Sequence, residues 1–166
     1  MALEFDPVEE AARNWRRHRW PAVPAMAAAT SITRAHQVLL RRIDEALAPF
    51  GLTFSRFEAL ALLHFSRRGA LPLGKVGERL QVHPASVTNT VDRLERDGLV
   101  RRQPHPDDRR ATLAAITDEG RDLVERAAKA LGAIDFGLAG DADVAPVDHR
   151  AIVAALAPVR RNAGDF

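Results

Sequence analysis

The fold is decided by residues 73–117, which read LGKVGERLQVHPASVTNTVDRLERDGLVRRQPHPDDRRATLAAIT. Within this stretch a helix is predicted to begin at Pro84, because the first amides of a helix have no partner inside it and a missing N–H there costs nothing. The helix is predicted to end near Gly98, since glycine readily adopts the left-handed conformation that closes a helix. A shorter helix is predicted before it, so the segment contains two helices joined by a tight turn.

The second of these helices has one apolar and one polar face. Val87, Val91 and Leu94 are spaced four and three residues apart, which places them on a stripe that faces a core. The opposite face carries Ser86, Asn89, Thr90, Arg93 and Asp97, with Thr88 and Asp92 at its flank. Asparagine can form two bonds with adenine, serine and threonine bond to bases or phosphates, and arginine reaches a guanine edge or the backbone. This face is suited to a DNA major groove, with an ordinary solvated helix face as the alternative.

A basic hairpin is predicted to follow the second helix. Residues 99–103 and 111–117 have strand character, and the turn-rich stretch PHPDDRR lies between them. The strand alternation is weak, because Ala114 and Ala115 have poor strand propensity, so the assignment depends on the preceding helices. Two helices followed by a two-stranded β wing predict a mainly α fold of the winged helix-turn-helix class, which binds DNA.

The same stretch resembles the MarR family of bacterial transcription regulators. In that family the wing holds an Asp-x-Arg pair, followed by Leu/Ile-Thr and then x-x-Gly. The corresponding positions here are Asp108, Arg110, Ile116-Thr117 and Gly120. The sequence at 87–88, 91–95 and 98–100 also fits the family pattern, and weaker motifs extend the resemblance from about Thr30 to the end of the chain.

The resemblance implies that Arg110 enters the minor groove while Asp108 orients it. A guanidinium is attracted by the negative potential of a narrow minor groove, whereas an unpaired carboxylate there is repelled. The alternative is a surface ion pair between the two, worth about 0 to 1 kcal/mol. The DNA contacts that we predict are Lys75, Ser86, Thr88, Asn89, Thr90, Arg93, Asp108, Arg109 and Arg110.

Lys75 lies in the sequence GKVG at 74–77, which matches the GxxG loop that KH domains use to hold RNA backbones. That loop must lie between two helices of a strand-rich sandwich. Here the four residues are predicted to begin the supporting helix, with Val76 and Leu80 facing inward. We therefore interpret Lys75 as a phosphate contact and the two glycines as positions of close packing. RNA binding through this loop stays open as an alternative.

The composition is that of one globular domain. The chain has 166 residues, 46% of them hydrophobic, and a formal net charge of +2. The basic residues are unevenly spread, since residues 11–43 contain seven arginines and no acid. No apolar run approaches the roughly 18 residues of a membrane span, and the first ten residues are acidic where a secretory signal is basic. We expect a cytoplasmic protein with no membrane partner.

The sequence gives no sign of catalysis. It contains no HExxH, GxSxG or Walker motif, no GxGxxG after a predicted strand, and no cysteine, so thiol-based sensing and disulfides are excluded. None of the six histidines lies three or four residues from another, which argues against a metal site. We therefore expect no enzyme activity, no metal and no cofactor.

Helical periodicity dominates both ends of the chain. One stripe contains Ile32, Leu39, Ile43 and Leu47, a second contains Leu123, Ala127, Ala130 or Leu131, and Ile134, and a third contains Ile152, Leu156 and Val159. A lone winged helix cannot bury all three, so a homodimer with interleaved N- and C-terminal helices is predicted, as the resemblance also implies. A monomer whose terminal helices fold back is the alternative.

The predicted organisation is one structural domain with three parts. Residues 1–52 form an arm and a dimerisation helix, residues 53–117 form the DNA-binding region, and residues 118–166 form further dimerisation helices. A two-fold dimer predicts a pseudo-palindromic operator with half-sites about one helical turn apart.

The N-terminal sequence NWRRHRW places both tryptophans of the chain, Trp15 and Trp20, among three arginines and a histidine. Its arginines could contact DNA phosphates, its indoles could line a ligand pocket, or the tryptophans could anchor the arm by burying apolar area. These alternatives stay open at this point.

The resemblance also implies a small aromatic or lipophilic acid that releases a repressor from DNA. Its site is expected between the dimer helices and the DNA-binding region, near residues 31–36 and 54–65. Phe57 and Phe65 are candidate apolar walls, and Arg34, His36, Arg56 or His64 are candidates to receive the acid. Each of these residues also has an ordinary structural interpretation. An architectural DNA-binding protein without an effector is the remaining alternative.

Overall fold

The computed structural model describes residues 3–106, 108, 111–140 and 146–165. Within these ranges the chain is mainly helical and contains one small antiparallel sheet. The elements in chain order are α1 (Pro7–Arg17), α2 (Val23–Leu47), α3 (Phe54–Phe65), β1 (Ala70–Pro72), α4 (Leu73–Leu80), α5 (Pro84–Arg96), β2 (Val100–Pro104), β3 (Thr112–Ile116), α6 (Asp118–Ala133) and α7 (His149–Asn162). Single 3-10 turns follow α2 at Ala48–Phe50 and α6 at Asp135–Gly137.

Helix α5 begins and ends where the sequence predicts. Pro84 occupies its first turn, and the ring Nδ1 of His83 accepts a hydrogen bond from the Ala85 amide at 3.2 Å, which satisfies one of the unpaired amides of that turn. Its apolar stripe of Val87, Val91 and Leu94 is buried. Gly98 has a φ of +75°, the left-handed conformation expected just beyond a helix.

The sheet has three strands in the order β1, β3, β2, whereas the sequence analysis predicts only the β2–β3 hairpin. Strand β3 pairs with β2 from Val100 opposite Ile116 onward, and with the short strand β1 on its other side. Ala114 and Ala115 on the central strand are both buried. Small side chains there let other elements pack close to the sheet, which offsets their poor strand propensity.

One core joins the sheet to the surrounding helices. Its largest fully buried side chains come from helices α2 to α6 and from strand β2, and include Leu47, Leu60, Leu94 and Leu131. Helix α6 lies especially close to the backbone just before β2, because a Cβ at Gly120 would overlap the carbonyl oxygen of Leu99. The glycine of the family pattern is thus explained by a close approach of two backbones.

The outer helices leave apolar side chains uncovered. Helix α1 packs against α2, and Ala12 is its buried residue. The stripe predicted on α2 is buried only at its C-terminal end, at Ile43 and Leu47, while Ile32 is exposed. Among the described residues α7 buries none, and both Val153 and Val159 are 62% exposed. The single chain therefore leaves the N-terminal part of the first stripe and the third stripe without a buried residue.

No single helix in the described ranges combines the length and the apolar character needed to cross a membrane. Segments Val23–Phe50 and Phe54–Phe65 meet those criteria only as a pair, and they are bent by 70° relative to each other.

Candidate nucleic-acid interface

The polar face of α5 is open to solvent. Ser86, Asn89 and Arg93 are exposed, and Thr90 is half-buried at the edge of the face. In the part of the chain that the structure describes, the side chains of Asn89 and Arg93 have no hydrogen bond or ion pair. The Thr88 hydroxyl donates to the Pro84 carbonyl at 3.1 Å, so it is available to a ligand as an acceptor. We name this surface the recognition face; its exposure agrees with the predicted polar face of the helix, and its DNA contacts stay predictions.

Lys75 lies in the first turn of α4 and is exposed. Its Nζ contacts Glu78 Oε2 at 2.7 Å, and this hydrogen bond, reinforced by the lysine charge, lowers the pKa of Glu78. Ion pairs of this exposure are weak, so a phosphate can displace Glu78 from Lys75 at little cost. The lysine therefore remains a candidate phosphate contact beside the recognition face.

The two glycines of GKVG do different things. A Cβ at Gly77 would lie 3.0 Å from Val87 Cγ2 and 3.3 Å from the Val82 carbonyl oxygen, so Gly77 permits the close packing of α4 on α5. The packing role predicted for Gly74 is wrong, because a Cβ there has nothing within 4 Å. All four residues belong to α4, so they do not form the loop between helices that the RNA interpretation requires.

The wing is joined to the recognition helix by an arginine that the sequence analysis missed. Arg102 on β2 contacts Asp92 Oδ1 at 2.6 Å and Glu95 Oε2 at 2.5 Å, and its backbone N–H donates to Glu95 Oε1 at 2.8 Å. The backbone bond and the guanidinium together lower the pKa of Glu95. We call this group the Arg102 clamp. Its sequence signal is a pair of acids three residues apart on one helix edge, followed by an arginine on the next strand.

The tip of the wing is described only in part. The Asp108 carbonyl accepts a hydrogen bond from the Ala111 amide at 3.0 Å, just before β3. The predicted groove residue Arg110 and its neighbour Arg109 lie outside the described residues. Their roles stay predictions from the family resemblance.

A second ion pair holds the C-terminal end of α5. Arg56 on α3 contacts Asp97, and its Nη1 donates to the Gly51 carbonyl at 2.8 Å. The Arg56 side chain is only 13% exposed. Arg56 therefore connects α3 to the end of the recognition helix. Because its guanidinium already has these partners, Arg56 is a weaker candidate to bind an acidic ligand.

The residues predicted for a ligand pocket are scattered over the chain. Phe57 is part of the core, whereas Phe65 is 80% exposed. His64 is half-buried, with its Nε2 3.8 Å from Glu125 Oε1. Arg34 and His36 are exposed on α2. Neither of the two cavities that flank α5, described below, is lined by any of these residues.

The two tryptophans of the N-terminal arm contact each other. Their rings meet edge to face with centroids 4.6 Å apart, and the Trp15 Nε1–H donates to the Pro21 carbonyl at 3.0 Å. This contact closes the turn between α1 and α2, and it favours the anchoring interpretation. Trp20 remains about half exposed, so the arm still presents an aromatic surface beside its arginines.

Two cavities flank the recognition helix. The larger, about 400 Å³, lies between α4 and α5 and includes Gly77 and Thr88 in its lining. The smaller, about 300 Å³, lies among α3, α4 and α5, and we call it the α3–α5 cavity. It is lined by Ser55, Glu58, Ala59, Val76, Leu80, Val82, Ser86, Val87, Thr90 and Val91. Burial raises the pKa of Glu58, the acidic residue of this lining. Sequence reasoning did not find either cavity.

The described ranges contain no candidate metal centre. Within them, no three side chains from His, Cys, Asp and Glu are grouped so that they could hold a metal ion.

Comparison with known proteins gives a consistent result. Residues 52–112 match the model of the MarR family. The regulator YhbI of Bacillus subtilis, described as an uncharacterized HTH-type transcriptional regulator, is 33% identical over 107 residues, which cover 64% of this chain and 68% of YhbI. Sco5413 of Streptomyces coelicolor, a MarR family transcriptional regulator, is 56% identical with a TM-score of 0.78, covering 87% of this chain and 99% of Sco5413.

Two more distant structures share the fold. Sco3205 of Streptomyces coelicolor, solved in complex with DNA, is 22% identical with a TM-score of 0.70, covering 88% of this chain and 89% of that one. CouR of Rhodococcus jostii RHA1, solved with p-coumaroyl-CoA, is 24% identical with a TM-score of 0.68, and the match covers 82% of this chain and 91% of CouR.

Proposed function

The chain belongs to the MarR family of DNA-binding transcription regulators, and from this premise we propose that it is a homodimeric repressor that a small ligand releases from a specific operator. Its named relatives are transcription regulators, and this chain is likewise a regulator and not an enzyme. The observation that carries the proposal is the recognition face. Asn89 and Arg93 are exposed on a helix whose opposite stripe is buried and whose edge is fixed to the wing.

We assign base contacts to Ser86, Asn89 and Arg93, which share the exposed face of one helix. Asparagine and arginine are the side chains that pair bidentately with adenine and guanine in the major groove. Lys75 supplies a phosphate contact beside them, because it stands at the N-terminal turn of the supporting helix. The wing, through Arg110, adds a minor-groove contact on the basis of the family resemblance. The fold shared with Sco3205, which was solved with DNA, supports this assignment.

A dimer is supported by the apolar side chains that the single chain leaves exposed. They lie on the N-terminal half of α2 and along α7, at Ile32, Ile152, Val153 and Val159. Burying such surface stabilises an assembly by about 25 cal/mol per Å². A two-fold assembly presents two recognition faces, so we propose a pseudo-palindromic operator with half-site centres about 34 Å apart. The site of action is the cytoplasm, where the chromosome of a bacterium lies.

For the releasing ligand we propose an aromatic or lipophilic acid held between the dimer helices and the DNA-binding region. Trp15, Trp20, Arg34, His36, Phe57, His64 and Phe65 remain the proposed contacts. They are spread over α1, α2, α3 and the turn between α1 and α2, so the proposal requires the second subunit to complete the site. The fold shared with CouR, solved with an aromatic thioester, supports this ligand class.

The test is selection of bound duplexes from a random library, followed by footprinting and light scattering. The expected result is one enriched pseudo-palindrome, protected by a dimer and retained against competitor DNA. Coating of DNA without an enriched site would instead favour an architectural protein, and preferential competition by RNA would favour the GKVG alternative. Single chains bound to single half-sites would refute the dimer.

A further inference from the structure

The α3–α5 cavity has the size and lining of a small-molecule site. Its volume of about 300 Å³ stands at the lower end of the roughly 300 to 1,000 Å³ found for such sites. Val76, Leu80 and Val91 supply apolar walls from two helices, and polar groups are few. This combination favours a ligand with one apolar or aromatic body and a single polar group.

The charge of the cavity lining indicates which polar group the ligand should carry. Glu58 is ionisable, and the other lining residues are Ser, Thr, Ala, Val and Leu, so no cation is present to receive an acid. A carboxylate or phosphate ligand would face Glu58 with no compensating charge, which is unfavourable in a partly buried site. A protonated amine would instead form a charge-assisted hydrogen bond with it.

Glu58 also lacks a partner of its own. Throughout the described ranges its carboxyl forms no hydrogen bond and no ion pair, although it is half-buried and burial raises its pKa. By contrast, Asp92 and Glu95 on the neighbouring helix α5, and Asp97 just after it, are all paired with arginines. A half-buried, unpaired carboxyl beside an apolar cavity is a group that a ligand can satisfy.

We propose that the α3–α5 cavity binds a small organic cation, with its apolar or aromatic body among Val76, Leu80 and Val91 and its amine on Glu58. This site is distinct from the acid site proposed between the dimer helices and the DNA-binding region, in both place and charge. Ser86 and Thr90 belong to the lining and to the recognition face, so an occupant reduces DNA affinity by direct competition. This last step rests on the proposed function.

The binding test uses three probes that share a phenyl ring and differ in charge: benzylamine, benzyl alcohol and phenylacetate. Each is titrated into the wild-type protein without DNA, and amide chemical shifts are followed by NMR. Benzylamine is expected to perturb the cavity residues saturably and to bind at least about tenfold more tightly than phenylacetate. Equal or tighter binding of phenylacetate would overturn the proposed charge selection.

Two variants locate the site. Glu58→Gln keeps the shape but removes the charge, and it is expected to weaken benzylamine about tenfold or more while leaving benzyl alcohol unchanged. Ser55→Trp places a large side chain at the exposed rim and is expected to block all three probes. Glu10→Gln on α1 is the matched control, because it removes the same charge from an exposed position outside the cavity. Wild-type benzylamine affinity in Glu58→Gln would overturn the site even if Ser55→Trp fails to fold.

The competition test compares operator affinity with and without saturating benzylamine. The measured quantity is the operator affinity with benzylamine divided by the operator affinity without it. This affinity ratio should fall below one in the wild type and in Glu10→Gln but not in Glu58→Gln. An unchanged ratio while NMR shows the cavity filled would overturn the competition. A chain that selects no operator at all would refute the proposed function and leave the NMR test of the cavity standing.

Discussion

Replacing Arg102 with alanine should release the wing from the recognition helix without removing a DNA contact. The Arg102 side chain is 27% exposed and bonds to the carboxylates of Asp92 and Glu95, whose side chains are 47% and 38% exposed. Exposed pairs contribute about 0.2 to 1 kcal/mol each, and the stem of Arg102 adds packing. Arg102→Ala should therefore lower the free energy of unfolding by about 1 to 2 kcal/mol. Urea unfolding at one fixed protein concentration measures this.

A double-mutant cycle isolates the ionic part. The backbone bond from Arg102 to Glu95 persists in Arg102→Ala but is absent from Glu95→Ala, so only the side-chain pair is common to both changes. We expect a coupling energy of about 0.5 to 1 kcal/mol. A coupling energy of zero would show that the clamp does not hold the wing.

Salt dependence of DNA binding separates a positioning role from a phosphate contact. Arg102 is already neutralised by two acids, so Arg102→Ala should weaken operator binding while leaving the slope of log K against log salt unchanged. If Arg102 instead neutralised a phosphate, its replacement would reduce that slope by about 0.9 per subunit. That second outcome would refute the reasoning, because it would mean that the clamp opens on DNA.

The remaining predictions concern single residues and pH. Asn89→Ala should cost about 1 to 3 kcal/mol of operator affinity and relax one base pair in each half-site, as measured by repeating the selection. Arg110→Ala should reduce the salt slope by about 0.9 per subunit; an unchanged slope would mean that the wing tip does not contact DNA. Gly77→Ala should destabilise the fold by about 1 to 3 kcal/mol, because its Cβ would crowd Val87, whereas the control Gly74→Ala should stabilise it by about 0.5 to 1 kcal/mol in thermal unfolding. Folding lowers the pKa of Glu95, so the stability that its carboxylate contributes should be complete above its ordinary pKa of 4.5 and decline as the pH falls through its lowered pKa in the folded state. A difference in unfolding free energy between wild type and Glu95→Gln that does not vary with pH would contradict this.

The sequence predicted the recognition helix well because its signals are local. Pro84 and Gly98 fix the ends, and three apolar residues within eight positions fix the buried face. Strand β1 was missed for the opposite reason. It has three residues with no alternation, and its existence depends on pairing Ala70 with Ala115, far along the chain. No local pattern can indicate such a partner.

The candidate site divides in the same way. The recognition face follows from helical spacing, so its members could be named in advance. The Arg102 clamp depends on how the wing lies against α5, and the α3–α5 cavity exists only because three helices leave a space around Glu58. Phe65 shows the same limit, because an aromatic residue on an apolar run suggests a pocket wall, whereas within one chain its side chain is 80% exposed and its role stays a prediction. Periodicity gives the face of a helix but not the neighbour that the face meets.

The contacts around α5 also constrain how a ligand can act. The helix is fixed to the wing by Arg102, to α3 by Arg56, and to α6 by Thr117, whose hydroxyl donates to the Gly98 carbonyl at 2.8 Å. Moving α5 relative to the rest of the DNA-binding region would break all three connections at once. For the acid ligand proposed between the dimer helices, we therefore expect each DNA-binding region to move as a rigid body, which would change the spacing of the two recognition faces. A cation in the α3–α5 cavity needs no such movement, because it occupies space beside Ser86 and Thr90 directly. The two routes make opposite predictions for a single half-site: the first leaves its affinity unchanged, and the second lowers it.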